Sequence, residues 1–346
     1  MMNNPILSVF PRYLLQRRII LVLIVFFVFL TVLKLTERWP SFEAVHVTSL
    51  PPGAIDTKLQ MTVVSEVVLK PVNEENPGSN FTSKAPHIIH TAPGQVVPKI
   101  VHFCWYGGIG KMAKMNFRFH HYIGLLAVHK HIKPDKIMFW YEKKPVGDLW
   151  KEINSKVTNI EMVYRKPPNS ILGRSVRIPE HQSDVVRLEA VIKYGGIYLD
   201  LDVIALKSFD PILKYDVTMG LQSDNGLCNG AIIAKPGAEF LKIWHAEYNT
   251  FSDKEWAYHS VYLPFKLYEK HKDLVHVEER TIHRPSWFER QWIYEEGKLY
   301  DWSKNYAMHL WYRKYNKDLT PDSIRKLNTT LGQIFRYIYY DSWDLM

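Results

Sequence analysis

An α/β fold built on a mostly parallel sheet with helices on both faces is predicted by three observations. From Pro98 onward, short β-branched and aromatic runs alternate with segments of helical spacing. A glycine pair, Gly195-Gly196, separates the clearest helix from the clearest strand. Everything before Pro98 lacks that alternation, so the fold is confined to residues 98–346. The chain has 346 residues, which suits one sizeable domain with appendages or two small ones, and 47% hydrophobic residues suffice for a full core.

Residues 1–18 read as a cytoplasmic tail and residues 19–35 as a signal anchor. The run IILVLIVFFVFLTVL, residues 19–33, carries no charge. With Leu35 added and Lys34 snorkelling it approaches the lower limit of about 17 residues for a transmembrane helix, a length that suits thin secretory membranes. Arg12, Arg17 and Arg18 precede the run, while Lys34 and Arg38 follow it with Glu37 between them. The positive-inside rule keeps the N-terminus in the cytoplasm. A cleaved signal peptide would need a small-residue cleavage site, and residues 34–39 (KLTERW) offer none. Residues 36–97 read as a lumenal stem, punctuated by Pro51-Pro52-Gly53, Pro71, Pro77-Gly78 and Pro93-Gly94 and without helical periodicity. Sequons at residues 80–82 (NFT) and 328–330 (NTT) fit a lumenal chain.

Within the domain, residues 99–105 (KIVHFCW) predict a first buried strand. Residues 116–131 predict a helix with Phe119, Ile123, Leu126 and Ala127 on its apolar face. A second strand at 136–142, a short helix at 146–153 and a third strand at 160–164 follow. A helix over 183–194, capped by Ser183, and a strand over 196–206 complete the pattern. Ligands of such sheets bind at the carboxyl ends of strands, so the turn Trp105-Tyr106-Gly107-Gly108 is an expected ligand wall.

The formal net charge of +9 admits a nucleic acid, an anionic membrane or anionic small substrates. A lumenal placement excludes nucleic acid. Two cysteines, Cys104 and Cys228, allow at most one disulfide, and no zinc pattern is present.

The chemistry lies in residues 183–202, SDVVRLEAVIKYGGIYLDLD. On the helix, Asp184 and Arg187 share a face. The alternation of the strand sends Ile197, Leu199, Leu201 and Val203 one way and Tyr198, Asp200 and Asp202 the other. Two carboxylates on one strand face raise each other's pKa unless a cation lies between them. Such an oxygen-rich site suits Mn²⁺ or Mg²⁺, which also takes phosphate oxygens of a substrate. Taken singly, Asp-Leu-Asp reads as a solvated turn and Asp184 with Arg187 as a surface pair worth about 0–1 kcal/mol. The specific signal is the helix with Asp and Arg, the glycine pair and Tyr-x-Asp-x-Asp together.

That segment resembles the DXD-containing sugar-binding region of glycosyltransferase family 32, which includes α1,4-galactosyl- and α1,4-N-acetylglucosaminyltransferases, yeast initiating α-mannosyltransferases and bacterial capsule transferases. Val97-Pro98-Lys99-Ile100-Val101-His102 with Trp105-Tyr106-Gly107-Gly108 resembles the start of the same domain. The likeness covers about residues 97–315. It implies a GT-A type, Rossmann-like fold and a retaining transfer from a nucleotide-sugar donor, a UDP-sugar by likeness, to a glycan or glycolipid acceptor. It implies a type II Golgi membrane enzyme with its catalytic domain in the lumen. Asp200 and Asp202 would hold the metal and diphosphate, with Asp202 the more direct ligand. Asp184 and Arg187 would hold donor-sugar hydroxyls, Tyr198 would pack beside the nucleotide or sugar, and Trp105 would stack on the base. Asn229, read as a turn leading into a buried strand, would face the donor sugar. His309, in Ala307-Met308-His309-Leu310-Trp311, would complete the metal shell. Where relatives carry a Gly-Pro motif this chain reads HSVYLPFK, which leaves His259 and Ser260 as candidate wall residues. Three readings stay beside this one: a GDP-mannose-dependent α-mannosyltransferase, a catalytically silent glycan-binding membrane protein, and a membrane-tethered basic adaptor.

Overall fold

The structure, a computed structural model, describes residues 94–106, 117–315 and 317–346. The expected tail, anchor and nearly all of the stem lie outside the described residues, as do the first sequon and Gly107-Gly108. Among the described residues no helix is long and apolar enough to cross a membrane.

The elements follow in chain order: β1 (Ile100–Trp105), α1 (Phe119–Ala127, continued by a π-helical turn over Val128–Ile132), β2 (Lys136–Tyr141), α2 (Asp148–Lys156), β3 (Ile160–Tyr164) and the small ribbon β4 (Ser170–Ile171) and β5 (Arg174–Ser175). Then come α3 (Pro179–Tyr194), β6 (Gly196–Leu199), β7 (Val203–Ala205), β8 (Val217–Ser223), β9 (Gly226–Ala234), α4 (Glu239–Ala246), α5 (Leu263–Lys270) and β10 (His276–Glu278). The last elements are α6 (Gln291–Tyr294), β11 (Ala307–His309), α7 (Tyr312–Tyr315), α8 (Pro321–Arg325) and α9 (Thr330–Tyr340).

Seven strands form the main sheet in the order β10-β8-β9-β6-β1-β2-β3. β1 pairs in parallel with both β2 and β6, β2 with β3, and β8 with β10, while β9 runs against its neighbours β6 and β8. The α/β expectation with a mostly parallel sheet therefore holds. Alternation along the strands builds a core on each face. Val101, Phe103, Ile197 and Leu199 face the side covered by α1 and α9, and Tyr198, Ile232 and Met219 face the side of α3, α4 and α5.

Two boundaries differ from expectation. α3 begins at Pro179 rather than Ser183, because a proline fits the first helical turn, where its missing N–H needs no partner. Ser183 therefore lies inside the helix. Gly195 takes φ +64° and ψ −168°, outside the left-handed helical well and in a region open almost only to glycine. Gly196 follows at φ +103°, and a Cβ there would lie 2.3 Å from the carbonyl oxygen of Ile100. The pair thus permits close approach of α3 and β6 to β1.

The C-terminal segment packs on α1 through Phe335 and Tyr339 against Phe119. Arg336, 1% exposed, ties it down by donating to the carbonyls of Ile324, Leu327 and Trp343. The second sequon is built into this packing. The Thr329 side chain caps α9, and the buried Thr330 hydroxyl donates to the Trp292 carbonyl. Cys104 and Cys228 are free thiols.

Replacing Gly196 by Ala forces both a disfavoured φ and a clash with β1. Urea unfolding should show a stability loss of about 3 kcal/mol or more, whereas a change below about 0.5 kcal/mol would contradict the close approach.

Candidate active site

The site forms where β6 stops. Strand structure was expected to run on to residue 206 with both carboxylates on one face. Instead β6 ends at Leu199, and Asp200-Leu201-Asp202 is a turn closed by the Val203 N–H donating to the Asp200 carbonyl at 2.9 Å. The Asp200 N–H still donates to Gly230 on β9 at 2.8 Å, the last rung of the main sheet. Beyond it the chain leaves the sheet, and β7 pairs antiparallel with β11. The turn gives the two carboxylates different neighbours.

Asp200 joins α3. Arg187 Nη1 lies 3.0 Å from Asp200 Oδ1, and Arg187 Nη2 lies 3.4 Å from Asp184 Oδ1. Nη1 also donates to the Asn229 carbonyl and side-chain oxygen at 3.1 and 3.2 Å. The Asn229 amide donates to Asp184 at 2.7 Å, and the Tyr198 hydroxyl donates to Asp200 Oδ1 at 2.6 Å. The guanidinium sits 4.5 Å from the centre of the Tyr198 ring. Burial raises the Asp184 carboxyl above its ordinary range, and Arg187 and Asn229 only partly oppose this. Burial likewise works against charge on Arg187, but Asp200, Tyr198 and Asp184 outweigh it and raise its pKa well above the usual value.

Asp202 joins the C-terminal half. The Leu310 N–H donates to the Asp202 carbonyl at 2.8 Å, and the Tyr312 N–H donates to Asp202 Oδ2 at 2.9 Å. Pairing of β7 with β11 sets His309 opposite Val203 and its Nε2 3.5 Å from Asp202 Oδ1. Trp311 stacks on the imidazole at 3.6 Å. Burial tends to raise the Asp202 carboxyl, yet the charge and hydrogen bond of His309 and the Tyr312 N–H hold it well below the carboxylate range. Burial tends to lower His309, and Asp202 raises it to about 10. A proton on His309 and a divalent cation are alternative ways to neutralise this pair, because both use the same nitrogen lone pair.

Ligand atoms of Asp200, Asp202 and His309 all lie within 4.8 Å of one another. Two carboxylates and an imidazole fit a hard or borderline divalent ion such as Mn²⁺ or Mg²⁺. Gly230 keeps this cradle open, since a Cβ there would lie 3.0 Å from both Asp200 Oδ2 and His309 Cε1. The Asp200 and Asp202 side chains keep 26% and 23% of their surface exposed against 7% for Arg187, so the acids face the opening and the arginine braces Asp200 from behind.

Other expected positions differ. Trp105 offers no free face for a base: it is 3% exposed and packed among Phe117, His121 and Phe139. Asn229 lies inside the fully buried β9 rather than in a turn, and it reaches Asp184 from there. His259 is 3% exposed and packs against Tyr248 and Phe251, so it is not a wall residue, and Ser260 is buried beside it. Gly230, Tyr312 and Trp311 were not singled out as site residues. Gly230 left a signal as a glycine within a buried strand, which marks close approach, and Trp311 left one as the partner of His309 in a His-x-Trp pattern. Tyr312 acts through its backbone and has no signature in side-chain type.

Residues 118–218 match the family described as "Glycosyltransferase sugar-binding region containing DXD motif". Glucan organizing enzyme 1 of Cryptococcus neoformans var. grubii is 33% identical over 265 residues, covering 70% of this chain and 71% of that protein. Inositol phosphoceramide mannosyltransferase 3 of Schizosaccharomyces pombe is 27% identical over 156 residues, covering 45% of this chain but only 38% of that relative. Among solved structures, PaToxG Glycosyltransferase aligns at TM-score 0.38 with 14% identity over 51% of this chain and 70% of that one. The glycosyltransferase GlyE of Streptococcus pneumoniae aligns at 0.39 with 12% identity over 71% and 61%.

Replacing Arg187 by Met leaves Asp184 buried without a cation. Stability at neutral pH should fall by about 3–5 kcal/mol. Asp184, already raised in the fold, would rise further, so the deficit should be full above the carboxylate range and shrink as falling pH protonates it. Urea unfolding across pH checks both the size and the sign.

Proposed function

This chain belongs to the DXD-containing glycosyltransferases of family 32, and on that premise we propose that it is a retaining enzyme of GT-A type that moves a hexose or N-acetylhexosamine from a UDP-sugar to a glycan or glycolipid. The observation that carries this reading is the convergence of Asp200, Asp202 and His309 within 4.8 Å beside the braced Arg187. Asp200, Asp202 and His309 would hold a divalent ion, Mn²⁺ or Mg²⁺, whose charge would offset the negative charge that grows on the donor diphosphate as the sugar departs.

The protein's own part is mainly positioning. Arg187 holds Asp200 from behind and fixes which carboxylate oxygen faces the cleft. The Tyr312 N–H does the same for Asp202. Asp184 is the buried carboxylate nearest this centre that stands outside the ion cradle. The Asn229 amide and Arg187 both engage its Oδ1, which lowers its nucleophilicity. These contacts support a front-face route, in which the acceptor hydroxyl attacks from the side the nucleotide leaves.

Similarity to an inositol phosphoceramide mannosyltransferase over 45% of the chain favours GDP-mannose as the second donor reading. The apolar run at residues 19–33 and the arginines before it support a Golgi type II anchor with a lumenal catalytic domain.

Two measurements test the reading. Incubation of the full-length chain with UDP- and GDP-sugars should release nucleotide only when Mn²⁺ or Mg²⁺ is present. Asp202→Asn retains an oxygen to accept the Tyr312 N–H, so it should fold normally while turnover drops at least about 100-fold. Near-normal turnover of that variant in Mn²⁺ would remove the assigned centre.

A further inference from the structure

A second group of ligating side chains lies directly behind the first. Cys228 Sγ and nitrogens of His283 and His309 all lie within 4.8 Å of one another, and all three residues are buried. Cys228 Sγ is 3.9 Å from His309 Nδ1, the nitrogen opposite to the one that faces Asp202. The His283 and His309 ring centres are 5.3 Å apart.

His283 is the unusual member. It is 0% exposed, and neither ring nitrogen completes a hydrogen bond, although the backbone of Cys228 lies close. A buried polar atom without a partner costs about 1–3 kcal/mol, and the nitrogen turned away from the Cys228 backbone is in that position. The ring is also held tightly in place. A Cβ on Gly220, which pairs with Cys228 across β8 and β9, would lie 2.7 Å from His283 Cδ2. The fold thus keeps a glycine opposite Cys228 and fits an imidazole into the space.

We propose that Cys228, His283 and His309 form a second cation site, for a thiophilic ion of the zinc class, that competes with the Asp200–Asp202 site for the His309 imidazole. One thiolate and two imidazoles are the donor set of such ions, whereas Mn²⁺ and Mg²⁺ favour the carboxylates in front. Binding requires two protons to leave to solvent, one from the Cys228 thiol and one from His309 Nδ1, because the thiolate and the imidazole lone pair are the ligands. A neutral imidazole ligates through one nitrogen only. When Nδ1 of His309 serves the rear ion, Nε2 carries the proton and donates to Asp202. When Nε2 serves the front ion, Nδ1 carries the proton and points at Cys228. A thiophilic ion therefore weakens the front site. This competition, though not the rear site itself, rests on the role given to His309 above.

Cobalt(II) titration of the full-length chain reads the rear site without any assay of turnover. A thiolate-to-cobalt absorption band should appear at one equivalent and disappear when Zn²⁺ is added. Cys228→Ser should abolish it and His283→Gln should greatly weaken it, whereas Cys104→Ser and the double variant Asp200→Asn/Asp202→Asn should keep it. Zinc K-edge absorption of the unaltered chain should show one sulfur among the ligands, a readout independent of whether any variant folds. Absence of the band, its survival in Cys228→Ser, or a zinc shell without sulfur would each overturn the site. Bound Mn²⁺, followed by electron paramagnetic resonance, should be released by one equivalent of Zn²⁺. Retained Mn²⁺ beside a sulfur-ligated zinc would overturn the competition.

Discussion

The site depends on one buried cation. The Arg187 guanidinium lies between Asp184 and Asp200, donates to two oxygens of Asn229, and covers the Tyr198 ring. Burying a charge is costly unless it is paired and hydrogen-bonded, and here nearly every donor of the guanidinium is used. The arrangement joins three separate elements, α3, β6 and β9, at a single group. It is rigid because any shift of one element would strand a charge on another. Asp200 thereby keeps one oxygen locked and the other turned toward Gly230 and His309. The arginine is a brace for the exposed acid, a role that comes in addition to the sugar contact that family resemblance implies for it.

The second acid is held by backbone instead. β7 and β11 are only three residues each, but they are hydrogen-bonded in register, and the chain beyond β11 closes over Asp202 through Leu310 and Tyr312. The two carboxylates are therefore carried by different parts of the molecule, one by the main sheet and α3, the other by a ribbon that ties the late chain to the middle. The end of β6 at Leu199 makes this division possible. A continuous strand would have placed both carboxylates on one face with one set of neighbours, and only a short bridge to the late histidine.

Much of the architecture was legible in the sequence because the relevant signals are local. Short β-branched and aromatic runs predicted β1, β2 and β3 nearly to the residue, and Gly195-Gly196 marked the junction of α3 with β6. The acid–arginine–Tyr-x-Asp-x-Asp pattern led to the residues that the structure brings together. What was missed is non-local. Nothing around Asp200 signals that β9 takes the last backbone rung and releases the strand into a turn. Trp105 looked like a ligand platform because it ends a strand, but Phe117 and His121 of the next segment cover it. Asn229 looked like a turn residue because Asn and Gly adjoin. Its strand setting follows from pairing with β6 and β8, which no window of ten residues contains.

Glycine placement connects these features. Gly196 lets β6 approach β1, Gly230 leaves room for Asp200 and His309, and Gly220 leaves room for His283. Each stands in or beside a strand, where glycine is intrinsically unfavourable, and each lies where a Cβ would come within about 3 Å of another part of the fold. Site side chains fill the space beside each of the latter two, His283 at Gly220 and Asp200 with His309 at Gly230, and the His309 imidazole is shared by both ligand groups. His309 therefore works as a partition with a ligating nitrogen on each side. The carboxylates in front and the thiol behind decide which kind of ion each side can hold, and its single transferable proton decides that they are not filled alike.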